Sequence, residues 1–262
     1  MKKKTNKFNI LVLTDFSESS GIAIRNAAKL AKLVNGQVRA YYVKSLKPFA
    51  EEENQIALSR RLRKHYMETH TSAKKMMSFI EEEEGVRVHF SMDFGNVKNC
   101  VSNKVQSLQP DLLILGKRKP KLINFIGDKL TQHLIKRCEA SILISSSSEV
   151  LHSLTDLSLG YYGETIAESN LNIIQHLQET KHPVNFFGIR NRALETEAQS
   201  EPQKKGRSFI FPQEGVKAIE ALTSYVSRSN TQLFCIHNGE HLDSQPVKHM
   251  VNNLNVPILI YK

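Results

Sequence analysis

Residues 8–23 read FNILVLTDFSESSGIA. The apolar run Ile10 to Leu13 stops at Thr14-Asp15, and a helix begins a few residues later. In a parallel α/β sheet, ligands sit just beyond the carboxyl end of such a strand, where strand order reverses. The stretch therefore predicts a small-ligand fold, with Thr14 and Asp15 at the site.

Outward from it, strand and helix alternate. Ile10–Thr14 reads as a strand. Ser20–Val34 reads as a helix, with Ala27, Leu30, Ala31 and Val34 at helical spacing and Asn35-Gly36 as a left-handed close. Val38–Val43 is a second strand, and a long polar helix spans about Glu51 to Glu84, ended by Gly85. Val86–Phe90, Leu112–Leu115 and Ser141–Ile144 complete the strands. Helices over Val97–Leu108 and Lys129–Arg137 lie between them. Such alternation implies βαβ crossovers and a parallel sheet.

Ser145–Ser148 reads as a polar linker, after which the pattern restarts. Leu157–Tyr161, Val184–Ile189, Ser208–Phe211, Gln232–Ile236 and Pro257–Tyr261 read as strands. Glu164–Thr180 and the stretch from Gly215 to about Ser229 read as helices. Arg190–Gly206 is polar loop where the first half has its long helix. An offset of 120 carries Gly95 to Gly215 and Leu112–Leu115 to Gln232–Cys235, and SILI at 141–144 reappears as PILI at 257–260. A repeat this long predicts tandem domains, 1–147 and 148–262, packed as a pseudo-dimer in one chain.

Composition bounds the rest. The chain has 262 residues, 40% hydrophobic and 24% charged, and reads as globular. No stretch approaches the ~18 apolar residues of a membrane span. The apolar core after the basic N-terminus is too short for a leader, so a cytoplasmic location is expected. Three distant cysteines (Cys100, Cys138, Cys235) read as buried thiols. The net charge of +10 is uneven, +11 over residues 1–150 and −1 over 151–262. A basic half could attract phosphates, RNA or anionic membrane; the plainer reading is a solvated surface. Tyr and Phe do not interleave with the basic residues as a stacking platform, so specific nucleic-acid binding is not expected. His237 and His241 stand four apart, but Gly239 lies between them and no metal site is expected.

ILVLTDFSESS with its strand-end Asp15, PDLLILG with Gly116, and GDKLTQHLIKRCEASILI together resemble the universal stress protein family. The resemblance runs over nearly the whole chain, specific in the first half and topological in the second. It implies two five-stranded parallel sheets in 3-2-1-4-5 order between helices, an adenine-nucleotide α-hydrolase-like fold. It also implies pairing through last strands, here Ser141–Ile144 and Pro257–Tyr261, within the chain, in a homodimer or with a protein partner. Many members bind ATP through G-x2-G-x9-G-[ST]. Glycines let backbone N–H groups approach phosphate, and a helix N-terminus favours the anion.

Here Gly116 fits the first position, Lys119 replaces the second glycine, and Gly127 arrives eleven residues after Gly116 rather than thirteen. Asp128 stands where Ser/Thr should be. A carboxylate removes a donor and sets like charges together, at ~1–4 kcal/mol for ~4 Å. The plainer reading of Asp128 is an ordinary first-turn residue favoured by the helix dipole. Lys117, Arg118, Lys119 and Lys121 crowd the same loop, either as point charges for phosphate or as a solvated patch. Asp15 matches the family's adenine-contacting position and is also a candidate, with Ser17 and Ser19, to start the helix. Val43 matches a nucleotide-lining position and also reads as core. The second half lacks the strand-end Asp (Leu159-Gly160-Tyr161-Tyr162-Gly163) and the glycine series, so no nucleotide is expected there.

Two functions follow. One is a non-catalytic regulatory or interaction protein of the stress response, with a degenerate nucleotide site and no cofactor. The other is an adenine-nucleotide-binding protein, even a slow ATPase, holding ATP in the first domain. Asp128, the short loop and the missing glycine favour the first.

Overall fold

The structure, a computed structural model, describes residues 8–47, 54–117, 129–146, 151, 157–163, 184–189, 206–211, 216–237 and 245–261. The first set of strands is β1 (Asn9–Leu13), β2 (Gln37–Lys44), β3 (Val88–Phe94), β4 (Leu112–Gly116) and β5 (Ser141–Ser145). The second is β6 (Leu159–Tyr162), β7 (Val184–Ile189), β8 (Gly206–Phe211), β9 (Leu233–His237) and β10 (Ile258–Tyr261). Described helices are α1 (Glu18–Val34), α2 (Gln55–Glu84), α3 (Val97–Leu108), α4 (Lys129–Arg137), α5 (Val216–Arg228) and α6 (Gln245–Asn253).

Each set has the expected 3-2-1-4-5 order, and the two are joined through their last strands into one ten-stranded sheet. The hydrogen-bonded order is β3-β2-β1-β4-β5-β10-β9-β6-β7-β8. Pairing is parallel within each set and antiparallel only between β5 and β10, with Ile142, Leu143 and Ile144 opposite Ile260, Leu259 and Ile258. Side chains alternate along these strands. One hydrophobic cluster, including Ile10, Val12, Ile114, Leu143, Leu159, Cys235 and Leu259, covers one face. A second, including Leu11, Leu113, Ile142, Phe234, Ile258 and Met250, covers the other. Both clusters cross the seam, so the two sets share their core. No helix among the described residues is long and apolar enough to cross a membrane.

Local chemistry explains the helix limits. Ser17 caps α1, accepting the Ser20 N–H at 3.3 Å, and Asn35 closes it in left-handed conformation at φ 50°. Gly85 closes α2 at φ 66°, a conformation that costs glycine nothing.

Three expectations change. β3 runs on to Phe94 rather than stopping at Phe90, because it pairs with β2 as far as Lys44. The segment between β9 and β10 contains α6, which the sequence reading left unassigned. The repeat offset in β4 and β9 is 121, not 120. Leu112 pairs with Ile10 and Leu233 with Leu159, while the N–H groups of Thr14 and Gly163 meet the carbonyls of Tyr41 and Phe187. A slip of one residue would have turned the strand's faces over. The helix expected at Glu164–Thr180, the loop over 190–205 and Gly215 lie outside the described residues.

The serine run is not a solvated linker at its start. Ser145 ends β5, and both it and Ser146 are fully buried. Asn26, also fully buried on α1, explains how. Its amide nitrogen donates to Ser145 Oγ at 3.2 Å, and its Oδ1 accepts the Leu151 N–H at 2.8 Å. Lys29 Nζ donates to the Leu151 carbonyl at 2.7 Å. The chain leaving β5 is thus held against α1 by side chains that satisfy its backbone. Asn26→Ala removes one acceptor and one donor in a dry setting. Urea denaturation should show a loss of ~1–3 kcal/mol.

Candidate functional site

Strand order reverses between β1 and β4, so the candidate cleft lies at their carboxyl ends. Thr14 is buried there, and its backbone N–H extends the pairing with β2 through Tyr41 O at 3.0 Å. Its Oγ1 lies 3.1 Å from Ser20 Oγ and accepts the Phe16 N–H at 3.1 Å. Ser20 Oγ donates to the Ser17 carbonyl at 2.9 Å. Asp15 is exposed, yet its Oδ1 accepts both the N–H (3.1 Å) and the hydroxyl of Ser17. Asp15 therefore builds the start of α1 at one remove: it fixes Ser17, and Ser17 caps the helix.

Between them Phe16 takes φ 60°, left-handed for a residue with a side chain. Such a conformation costs ~1–2 kcal/mol. Ring contacts offset it, with Tyr42 edge-on at 5.2 Å and Phe90 at 5.9 Å. Burial, then the Asp15 charge, raises the Tyr42 hydroxyl above its ordinary pKa. The Asp15 carboxylate thus acts on the aromatic wall beside the cleft.

Val43 lies within β2 opposite Asp93, half-buried against the cluster that holds Leu13. On that face the Tyr41 hydroxyl donates to Asp93 Oδ2 at 2.7 Å, and Lys104 Nζ sits 5.0 Å from the Tyr41 ring centre. Burial, then this hydrogen bond, raises the Tyr41 hydroxyl strongly.

Gly116 ends β4 directly against the first turn of α1. A Cβ placed on it would lie 2.7 Å from Ser19 O and 3.0 Å from Ser20 N, both backbone atoms. The glycine is thus required by the approach of strand to helix, whatever the cleft holds. The structure brings Thr14, Asp15 and Gly116 together around the start of α1. Lys119, Gly127 and Asp128 lie outside the described residues.

Lys117 is the residue whose role sequence reasoning missed. Of the four loop cations it is the described one, and its Nζ donates to the carbonyl of Leu254, just past α6. Its ammonium satisfies a helix C-terminus in the other half of the chain, where positive charge is favoured. Burial pulls it from 10.5 down to about 8. No local signal could have placed it, since its partner is 137 residues away.

The mouth of the cleft is thus a set of hydroxyls (Thr14, Ser17, Ser19, Ser20) and one carboxylate, bonded largely to one another. Among the described residues there is no group of three or more metal-ligating side chains.

A model of the universal stress protein family matches residues 8–146. Over 139 residues the chain is 27% identical to a universal stress protein of Methanocaldococcus jannaschii, covering 52% of this chain and 79% of that protein. A solved universal stress protein from Archaeoglobus fulgidus superposes with a TM-score of 0.68 at 12% identity, covering 97% of each chain. A putative universal stress protein from Pseudomonas aeruginosa gives 0.60 at 12% identity, over 97% of this chain and 92% of that one. At these identities the solved structures show the fold.

Two outcomes are expected. Gly116→Ala forces the strand and α1 apart, and thermal denaturation should show a loss of ~1–3 kcal/mol. Lys117 makes stability depend on pH. Between about 8 and 10.5 the unfolded chain holds a proton that the folded chain has released, so stability rises with pH in that window. Relative to Lys117→Met, the wild type should gain stability from pH 7.5 to 10.5 in urea titrations; a flat difference would remove the ammonium from its buried place.

Proposed function

The chain belongs to the universal stress protein family, and from that premise we propose that it is a non-catalytic, cytoplasmic interaction protein of the stress response. In this reading residues 1–147 and 148–262 are tandem units, and the nucleotide cleft of the first has decayed. One observation carries it: Lys117, the first cation of the would-be phosphate loop, is spent on the Leu254 carbonyl across the seam. The Asp15 carboxylate and the hydroxyls beside it support the same reading, because they hold the start of α1. The sequence adds Asp128 in place of a hydroxyl donor, Lys119 in place of a glycine, and a spacing two residues short. In the second half Gly163 takes the place of Thr14 and His237 that of Gly116, so the strand that would lead to a phosphate loop ends there in histidine and not glycine.

The competing reading, an ATP-binding protein or slow ATPase using Asp15, Gly116, Lys119 and Gly127, draws on the strand-end Asp15 and the glycine that ends β4. Thermal shift with ATP, ADP and AMP, each with and without Mg²⁺, decides between them. A bound nucleotide at ~100 Kd adds about 2.7 kcal/mol of stability. No shift is expected with any of the three. A shift with Mg-ATP that disappears in Asp15→Ala would establish the competing reading instead.

A further inference from the structure

The long helix α2 is far larger than its share of the core requires. Its buried residues are Thr69, Ala73, Met77 and Ile80, and none precedes Thr69. The His65 ring packs edge-on to Phe94, the last residue of β3, at 6.1 Å. The ten residues before His65 therefore stand past the carboxyl edge of the sheet, by ~15 Å at the helical rise. Further along the helix, His70 packs on Phe90 and Phe90 on Phe16, which ties α2 to the aromatic wall of the candidate cleft.

The charges along α2 run against what the helix itself prefers. No acid lies in the first turn and no base in the last, where Glu81–Glu84 stand. Those acids serve the fold. Glu83 pairs with Arg25 at 3.0 Å, Glu84 with Lys29 at 3.9 Å, and Glu81 accepts the Val88 N–H at 2.8 Å. The basic residues lie at the projecting end and along the outer side. Ile56, Arg60, Arg63, Met67 and Lys74 repeat at spacings of four, three, four and seven, all exposed. Such spacing lines up one face of a helix as in a two-helix contact. Ile56 is 64% exposed and Met67 60%.

We propose that this face of α2 docks an acidic amphipathic helix from a protein partner. The proposal deepens the interaction role given above and rests on it. Charge opposes pairing of this face with its own copy, because two such faces repel. A nucleic-acid backbone would neutralise Arg60 and Arg63 but leave Ile56 and Met67 in water. A bilayer would bury Ile56 and Met67 only by drawing in the arginines between them. A helix with a leucine stripe flanked by glutamates satisfies both kinds of residue, and Arg and Met are enriched where proteins meet.

The test uses the full chain and fluorescence anisotropy. The probe is a labelled synthetic helix of about three heptads, Leu at the seam and Glu beside it. Poly-glutamate of equal charge, an oligouridylate, and vesicles with about 30 mol% phosphatidylserine are the comparators. The helix should bind about tenfold more tightly than poly-glutamate, and Arg60→Ser with Arg63→Ser should weaken it about tenfold. Ile56→Ser with Met67→Ser should weaken the helix alone and leave poly-glutamate unchanged. All four positions are exposed, so unchanged thermal denaturation verifies the fold of both variants. Equal affinity for helix and poly-glutamate, indifference to either variant, or tighter binding of the oligouridylate or vesicles through the same arginines would each overturn the proposal. A nucleotide shift would sink the decayed-cleft reading and leave this result standing; failure of the helix to bind would do the reverse.

Discussion

The antiparallel pairing of β5 with β10 is the constraint on which the rest depends. Both strands are buried along their length, SILIS and ILIY. Either alone would be an apolar edge with a row of unpaired N–H and C=O groups, open to adventitious pairing. Joined, they satisfy each other's backbone, and the two hydrophobic clusters run through from one set of strands to the other. The contact between Lys117 and Leu254 exists only because this seam sets the end of β4 near the end of α6.

The cleft beside β1 and β4 is shaped by the same economy of polar groups. Thr14, Ser17, Ser19 and Ser20 form a hydroxyl chain in which Asp15 takes part, and Phe16 bridges it to the aromatic wall over β2 and β3. A ligand that drew on Asp15 Oδ1 or the Ser17 hydroxyl would compete with bonds that now hold the start of α1. Of the cations in the loop after β4, the described one, Lys117, is bonded to the Leu254 carbonyl in the other half of the chain.

Much of this was legible because it is local. The alternation of strands and helices, the strand-end position of Thr14 and Asp15, and the glycine stop at Gly85 all follow from periodicity and backbone preference, while the order of the strands in the sheet is what the family resemblance implies. Ser91 and Asp93 hide the full length of β3 because they are polar; Asp93 is exposed on the outermost strand, where it also accepts the Tyr41 hydroxyl. The signal for α6 was present in Val247, Met250, Val251 and Leu254, with Pro246 one residue inside the start. Nine residues interrupted by Lys248 and His249 made it faint. The serine run misled because composition reports polarity and not satisfaction. Asn26, 119 residues from Ser145, supplies that satisfaction and cannot be read beside it. Lys117 was legible as a charge but not as a direction.

Lys117 also shows what placing both sets of strands in one chain permits. In a dimer of identical subunits every substitution is made twice, and a lysine reaching across the axis would be answered by its own copy reaching back. Here the position equivalent to Lys117 in the second set is Asn238, and the position equivalent to Leu254 in the first is Cys138. One unit could specialise as the hand and the other as the socket, each free to change without its twin changing too.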